Sequence, residues 1–217
     1  RYRRQPFRSI PGPSSQESTG TPNASRTVFL LFLLSSALRF LSVTAILNFT
    51  PTYLVLERGL RASLAAYASA FILIGGAILC PLLGRAADRI GALRTLLLIT
   101  ALIWPLILLF SFPLPLWVTP VLLIFLGGFI SGSAPAQNLF LSRIGSKLGV
   151  GARFGFLMGL IALIASTSPF LFGFLADRIG MVRTLRLFVL PAVLSLALMV
   201  WLARLEAKND RIWPKAL

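Results

Sequence analysis

The sequence contains no histidine, and it has a single cysteine, Cys80. Zinc sites are built mainly from Cys and His ligands, and a disulfide requires two cysteines, so neither kind of site is expected here. Catalysis by an imidazole base is excluded as well. We therefore expect no bound metal and no cofactor.

Charged residues are scarce. They make up 12% of the 217 positions, whereas a typical soluble domain carries about 25%. Hydrophobic residues make up 57%, and the mean hydropathy is +0.86. Because so few charges cannot cover a soluble surface, the composition predicts an all-α integral membrane protein whose surroundings are the lipid bilayer.

Acidic residues are rarer than basic ones. Six Asp and Glu stand against 21 Lys and Arg, which gives a formal charge of +15. In a soluble protein this excess would suggest nucleic acid binding, but basic residues of membrane proteins gather in cytoplasmic loops. We expect no nucleic acid partner.

Long uncharged runs locate the membrane spans. A helix needs about 20 predominantly apolar residues to cross the hydrocarbon core. The run 95–142 is long enough for two helices, and Phe112-Pro113-Leu114-Pro115 divides it. The sequence predicts six transmembrane helices, near 27–50, 63–83, 93–111, 116–139, 153–175 and 185–205.

The two ends of the chain differ from the rest. Residues 1–26 are rich in Arg, Pro and Ser and show no apolar period, which predicts a disordered, basic cytoplasmic segment. Residues 206–217 are predicted to form a cytoplasmic tail. Because position 1 is Arg, we expect the chain to be a fragment of a longer protein.

The loop charges predict the orientation. With the amino terminus inside, fifteen basic residues lie in inner segments, five lie in outer loops, and Arg39 lies within a span. This distribution favours both termini in the cytoplasm. We expect a multi-pass protein of the cell membrane (plasma or inner membrane).

A duplication is the most specific pattern in the sequence. The two copies are identical at eight of twelve positions, 89 residues apart: Gly84-Arg-Ala-Ala-Asp88-Arg89-Ile-Gly91-Ala-Leu-Arg94-Thr95 and Gly173-Phe-Leu-Ala-Asp177-Arg178-Ile-Gly180-Met-Val-Arg183-Thr184. Each copy follows the second helix of a three-helix group. Three spans per unit is an odd number, so the units 27–112 and 113–205 are predicted to form two inverted three-helix repeats. Such repeats are typical of secondary transporters.

The motif also has a local physical explanation. Its glycines permit a tight turn between helix ends. The acidic residue can accept hydrogen bonds from free N–H groups at a nearby helix start, and the basic residues stay at the water interface.

The pattern Gly84-x-x-Ala87-Asp88-Arg89-x-Gly91-x-x-Arg94 resembles the loop motif of the major facilitator superfamily, which joins the second and third helices of each six-helix half. The resemblance implies that this chain is the carboxy-terminal half of a twelve-helix transporter and that residues 1–26 belong to its central loop. It implies that Asp88 latches the cytoplasmic side, and that the second and fifth spans meet the other half. The segment Asn48-Phe-Thr-Pro51-Thr-Tyr53-Leu54 resembles drug-efflux and related bacterial members.

Arg39 is the only charge deep inside a predicted span, near the centre of 27–50. Such a charge normally faces a water-filled cavity, a partner or a ligand. A structural pair with a neighbouring helix, an anionic substrate group or a proton-carrying acid, such as one in a missing half, explains it. Asn48 and Thr50 are further candidates for the substrate pathway, whereas Tyr53 is interpreted as an interfacial aromatic. Interface solvation accounts for Gln137 and Asn138.

Small residues predict where helices pack closely. Glycine recurs every four residues in two series, and each series places a flat strip on one helix face. The positions are Gly128 and Gly132 in the fourth span, followed by Gly151, Gly155 and Gly159 in the fifth.

Two functions remain open at this point. The first is a secondary transporter half that moves a small solute by alternating access, together with a missing amino-terminal half or a second copy of itself. The alternative is a non-transporting truncated or accessory membrane subunit. An enzyme is not expected, because Ser131-Gly132-Ser133-Ala134-Pro135 fails the nucleophile pattern and no histidine can assist it.

The resemblance to half of a transporter makes a prediction about size. An antibody against residues 204–217 should detect, in source membranes, a band near twice the 23.6 kDa of this chain. A band at the size of the chain itself would contradict the twelve-helix interpretation and would indicate a half-size protein.

Overall fold

A computed structural model of the chain describes residues 22–144 and 150–208. Within these two ranges the regular structure is entirely helical, without any strand. The helices are α1 (Pro22–Leu56), α2 (Ala62–Ile90), α3 (Ala92–Phe110), α4 (Val118–Ile144), α5 (Val150–Ile179), α6 (Met181–Leu187) and α7 (Val189–Lys208).

Six segments of the described chain are long and apolar enough to cross a membrane. Helices α1 to α5 supply one span each, and α6 with α7 supplies the sixth, Met181–Leu205. The turn between α6 and α7 is slight, because the Phe188 N–H still donates to the Thr184 carbonyl at 3.0 Å. The predicted number of spans is confirmed, and the chain is a multi-pass membrane protein.

The first helix differs from its predicted bounds at both ends. It begins at Pro22, so residues 22–26 are helical rather than disordered; proline suits the first helical position because its φ is already set. It also continues through Pro51 to Leu56, since membrane helices tolerate interior proline. At the other end of the chain, α7 extends to Lys208. Residues 1–21 and 209–217 lie outside the described part.

The helices pack in a pattern that relates the two halves of the chain. α2 lies along α4, and α1 packs against α5; α3 packs against α4, and α1 against α7. Suppose that α1, α2 and α3 correspond in order to α4, α5 and the α6–α7 pair. The α2–α4 contact then corresponds to the α1–α5 contact, and the α3–α4 contact corresponds to the α1–α7 contact. The contact between α3 and α7 maps onto itself.

Buried side chains form two apolar clusters, one towards each end of the helices. The first contains Tyr53, Phe110 and Phe172, and the second contains Phe32, Phe140 and Leu202. Along α1, α3, α4 and α7 the members of one cluster are followed by the members of the other. A level between the clusters therefore lies near the middle of the spans.

The closest helix contact joins α2 and α4. A Cβ atom on Gly75 would overlap the backbone of Ile124, and one on Gly127 would overlap the backbone of Ile72. These two glycines, one on each helix, thus let the two backbones touch. Backbone groups cannot rotate aside, so side chains at these positions would force the helices apart.

The predicted glycine strips lie in different surroundings. Gly128 and Gly132 face the side chains of Leu79 and Leu83 on α2. At Gly155 and Gly159, no atom lies within 4 Å of the position that a Cβ would occupy, so this strip contacts no described helix, contrary to a packing role inside the six-helix unit. The same helix carries other exposed apolar residues, such as Phe156 and Leu163. Gly151 lies outside the residues whose surroundings are described.

The α2–α4 contact makes a prediction about stability. Gly127→Ala should lower the free energy of unfolding by about 1–3 kcal/mol, because the added methyl group meets backbone that cannot move aside. Gly159→Ala is the matched control and should not destabilise, since its methyl group enters open space. Thermal unfolding of the detergent-solubilised protein measures both. Equal stability of the two variants would contradict the close contact.

Candidate functional site

Seven buried polar side chains lie at the level between the two apolar clusters. We call them the polar layer: Ser35, Ser36 and Arg39 on α1, Thr100 on α3, Ser133 and Gln137 on α4, and Ser195 on α7. Each is at most 4% exposed. Polar groups at this depth are costly, so they mark either helix–helix hydrogen bonds or a solute pathway.

Arg39 is the charged member of the polar layer. Its side chain is 2% exposed, and its Nη2 donates a 2.7 Å hydrogen bond to Oε1 of Gln137 on α4. The α1 and α4 backbones make few contacts with each other, so the long arginine side chain connects them. Gln137 thus pairs with the guanidinium through a neutral amide, and no carboxylate of the described chain does so.

Several polar atoms of the layer have no partner. Buried side-chain atoms that make no hydrogen bond within the described chain are Nη1 of Arg39, Nε2 of Gln137, Oγ of Ser36, Oγ1 of Thr100 and, outside the layer, Nε of Arg58. Buried polar atoms usually have partners, so such a group calls for an explanation at each site. Four of the five atoms lie in the polar layer, which makes this layer the candidate site.

A small cavity adjoins Arg39. Its volume is about 10 Å³, near the minimum for one water-sized group. The lining residues come from three helices: Arg39, Phe40 and Val43 of α1, Ile103 of α3, and Ile130 and Ser133 of α4. The walls are therefore mainly apolar around a single cation. The Ser133 hydroxyl already donates to the Ile130 carbonyl at 2.7 Å.

The serines of the layer hold helices together. Ser35 Oγ donates to the Ser195 carbonyl at 2.9 Å, and Ser195 Oγ donates to the Ser35 carbonyl at 2.8 Å. Ser168 of α5, which is outside the polar layer as defined above, donates to the Leu41 carbonyl of α1. α1 is thus bound to α7 and to α5 by polar contacts, which have few competitors in hydrocarbon.

The other predicted pathway residues do not join Arg39. Asn48 is exposed and donates to the Thr44 carbonyl at 2.8 Å, and Thr50 is buried and donates to the Ile46 carbonyl at 2.6 Å. Both bonds stay within α1, so neither side chain is available to the cavity in this conformation. Tyr53 is 2% exposed, and its hydroxyl donates to the Phe110 carbonyl at the end of α3 at 3.1 Å.

The structure changes the interpretation of Gln137. The sequence pattern places it at the membrane interface, but it is 1% exposed and bonded to Arg39, whereas its neighbour Asn138 is exposed. A signal exists in the sequence, since a buried arginine without an acid needs a neutral partner. Ser133 and Gln137 also lie one helical turn apart on α4, on one face.

The duplicated motif adopts the same local structure in both copies. Gly91 and Gly180 are the single non-helical residues between two helices, with φ of 98° and 87°, a conformation that glycine adopts without strain. The hydroxyl of Thr95 donates to the Gly91 carbonyl at 3.0 Å, and that of Thr184 donates to the Gly180 carbonyl at 2.9 Å. The duplicated motif therefore has the same local backbone in its two copies.

The remaining motif residues lie within helices. Gly84 of α2 faces Pro135 of α4, and Gly173 of α5 faces Phe49 of α1. The charged residues are exposed at helix ends; they are Asp88, Arg89, Arg94, Asp177, Arg178 and Arg183. Arg178 stacks on the Phe174 ring, 4.1 Å from its centroid.

Asp88 does not cap α3 as the local explanation of the motif predicts. The α3 N-cap is Gly91 without a side-chain hydrogen bond, because α2 remains helical up to Ile90 and keeps Asp88 in its last turn. Asp88 and Asp177 make no hydrogen bond or ion pair with a described residue. An acid at a helix carboxy terminus opposes the helix dipole, so α2 itself gains no stability from this residue.

Two arginines hold the α3–α4 connection at the opposite end of the bundle, a contact that sequence reasoning missed. Arg58 donates to the Leu114 carbonyl at 2.9 Å and to the Phe112 carbonyl at 2.6 Å. Arg186 lies 5.0 Å from the Phe112 ring centroid, and its Nε is 3.4 Å from the Ser111 Oγ. The loop charges thus also fix the ends of α1 and α6 to this connection.

No protein-family model matches the chain, and no curated protein matches it significantly. The motif resemblance is therefore an interpretation of the residues themselves.

The Arg39–Gln137 pair makes a prediction about stability. Gln137→Leu should lower the free energy of unfolding by about 3 kcal/mol or more, because it leaves a buried guanidinium without its acceptor. The double variant Arg39→Met/Gln137→Leu should recover most of this loss, since both polar partners are then absent. Denaturation of the wild-type protein, Arg39→Met, Gln137→Leu and the double variant in detergent tests this. Additive losses in the double variant would contradict a direct pair.

Proposed function

We propose that this chain is a six-helix half of a secondary transporter that moves a small solute by alternating access, in the manner of the major facilitator superfamily. The observation that carries the proposal is the polar layer, with unpartnered donors around Arg39 between two apolar clusters. Substrate sites of such transporters lie near the middle of the membrane, at the interface of inverted repeats.

The repeat supports the same function. The helix boundaries around Gly91 and Gly180 recur 89 residues apart, and the α2–α4 and α3–α4 contacts have counterparts in the α1–α5 and α1–α7 contacts. Arg39 and Gln137 come from α1 and α4, the first helix of each unit. Their hydrogen bond therefore bridges the proposed repeat interface.

The proposal includes a partner for α2 and α5. In the most apolar windows of these two helices only 22% and 17% of the residues are buried, less than in the other spans. They occupy matching positions in the proposed repeats. A second six-helix half, or a second copy of this chain, would cover them; lipid is the other possible covering. The proposed location is the cell membrane, with both termini in the cytoplasm; the distribution of basic residues among the loops supports this orientation.

Asp88 has a proposed role in this cycle. Its exposed carboxylate in the last turn of α2 is free to pair with another group when the inner ends of the helices approach. The proposal accounts for an acid that does not stabilise its own helix.

Alternating access can be tested without knowing the substrate. Cys80 is the only cysteine of these 217 residues, so Cys80→Ser, together with replacement of any cysteine in an attached half, gives a cysteine-free background. In that background Val43→Cys, whose side chain lines the cavity, should react with a membrane-impermeant thiosulfonate from either side, in right-side-out and in inside-out vesicles. The native gene product should be used, in its own membranes.

Leu163→Cys is the matched control. Leu163 is 63% exposed on α5, and it should react from neither side where lipid or a partner helix covers it. Reaction of Val43→Cys from one side only, or from neither, would favour the alternative of a non-transporting subunit.

A further inference from the structure

Two of the unpartnered atoms in the polar layer, on Arg39 and on Gln137, can only donate hydrogen bonds. Gln137 already uses its carbonyl oxygen to accept from Arg39, which leaves its Nε2 and the Arg39 Nη1 without acceptors. A guanidinium has five N–H donors and no acceptor. Any group that completes this arrangement must therefore accept hydrogen bonds.

The charge of the site restricts the ligand further. Arg39 is the only charged side chain among the buried residues that the structure describes. Glu57, Asp88 and Asp177, the acids whose exposure is described, all face away from the interior. One buried positive charge without a counterion is balanced by one negative charge, and a second negative charge would find no cation.

The walls of the cavity indicate what the negative charge is attached to. Phe40, Val43, Ile103 and Ile130 surround Arg39 with apolar surface. Such walls favour an apolar body, while the planar guanidinium suits the two oxygens of a carboxylate. The cavity of about 10 Å³ admits one water-sized group, so the body enters only when α1 and α4 separate.

We propose that Arg39, with Gln137 beside it, binds the carboxylate of a small apolar monocarboxylate, which is the solute that the transporter carries. This inference rests on the proposed function, because alternating access provides the opening of the site.

A carboxylate side chain from another polypeptide is a second source of the same chemistry. The geometry favours a free solute, because Arg39 is only 2% exposed. A side chain attached to a neighbouring helix would have to pass between α1 and α4 to reach it.

Binding to the solubilised native gene product tests the proposal. The probes are butyrate, hexanoate and benzoate, each paired with its neutral amide, and the readouts are the shift in melting temperature and equilibrium binding of the radiolabelled acid. At least one carboxylate should bind and stabilise the protein, and its amide should not. This comparison needs no variant, so it holds even if a substitution prevents folding.

Variants then locate the site. Arg39→Gln should weaken binding of the acid at least tenfold, and Arg39→Lys should weaken it less because it keeps the charge. Arg61→Gln removes an exposed loop arginine and should leave the Kd unchanged. The proposal is wrong if none of the acids binds, if acid and amide bind equally, or if the folded Arg39→Gln protein keeps the wild-type Kd. A side chain already bound to Arg39 would give the first of these results.

The two proposals fail separately. If a carboxylate binds but Val43→Cys is labelled from one side only or from neither, transport is refuted and the anion site is kept. Labelling from both sides without carboxylate binding would refute the anion site alone.

Discussion

A guanidinium buried halfway along a membrane helix is the constraint on which the rest of this structure depends. Insertion scales place the cost of an arginine there at about 2.5–3.5 kcal/mol, and an isolated helix would bear more. The helices around Arg39 must therefore supply a polar partner at that depth. Gln137 does so at 2.7 Å, and its position fixes the rotation of α4 relative to α1.

The glycine contact between α2 and α4 and the serine contacts of α1 serve this arrangement. Gly75 and Gly127 bring α4 against α2, while Ser35 and Ser195 bind α1 to α7. α1 and α4 are consequently held by different neighbours and touch each other little. The space between them is where the cavity lies. In this arrangement α4 packs tightly on α2 and α1 packs tightly on α7, whereas α1 and α4 pack loosely on each other at Arg39. The proposed solute pathway requires such a loosely packed boundary.

The sequence predicted the number of spans and the break at Phe112–Pro115, because uncharged length and helix breakers act locally. It did not predict which faces meet. Lipid and protein interior are both apolar, so the sequence around a glycine does not show which of the two it faces. Gly128 packs on Leu79 and Gly159 faces outward, yet both belong to the same four-residue glycine spacing. Gln137 was misplaced for a related reason: depth in the membrane depends on the whole bundle, whereas the sequence shows only distance from the next charge. The start of α1 before Thr27 was missed because the average composition of residues 1–26 hides a proline that can begin a helix.

The one-residue links at Gly91 and Gly180 have a mechanical consequence. A link that short has no slack, so α2 cannot slide along α3, nor α5 along α6, without unwinding a turn. Bending about the glycine is the movement that remains. Because six crossings alternate in direction, the two links lie at opposite ends of the bundle. In the proposed alternating-access cycle, each hairpin would bend at its own glycine, and the two glycines lie on opposite sides of the membrane. Closing one end of the molecule and opening the other would then require the same kind of bend.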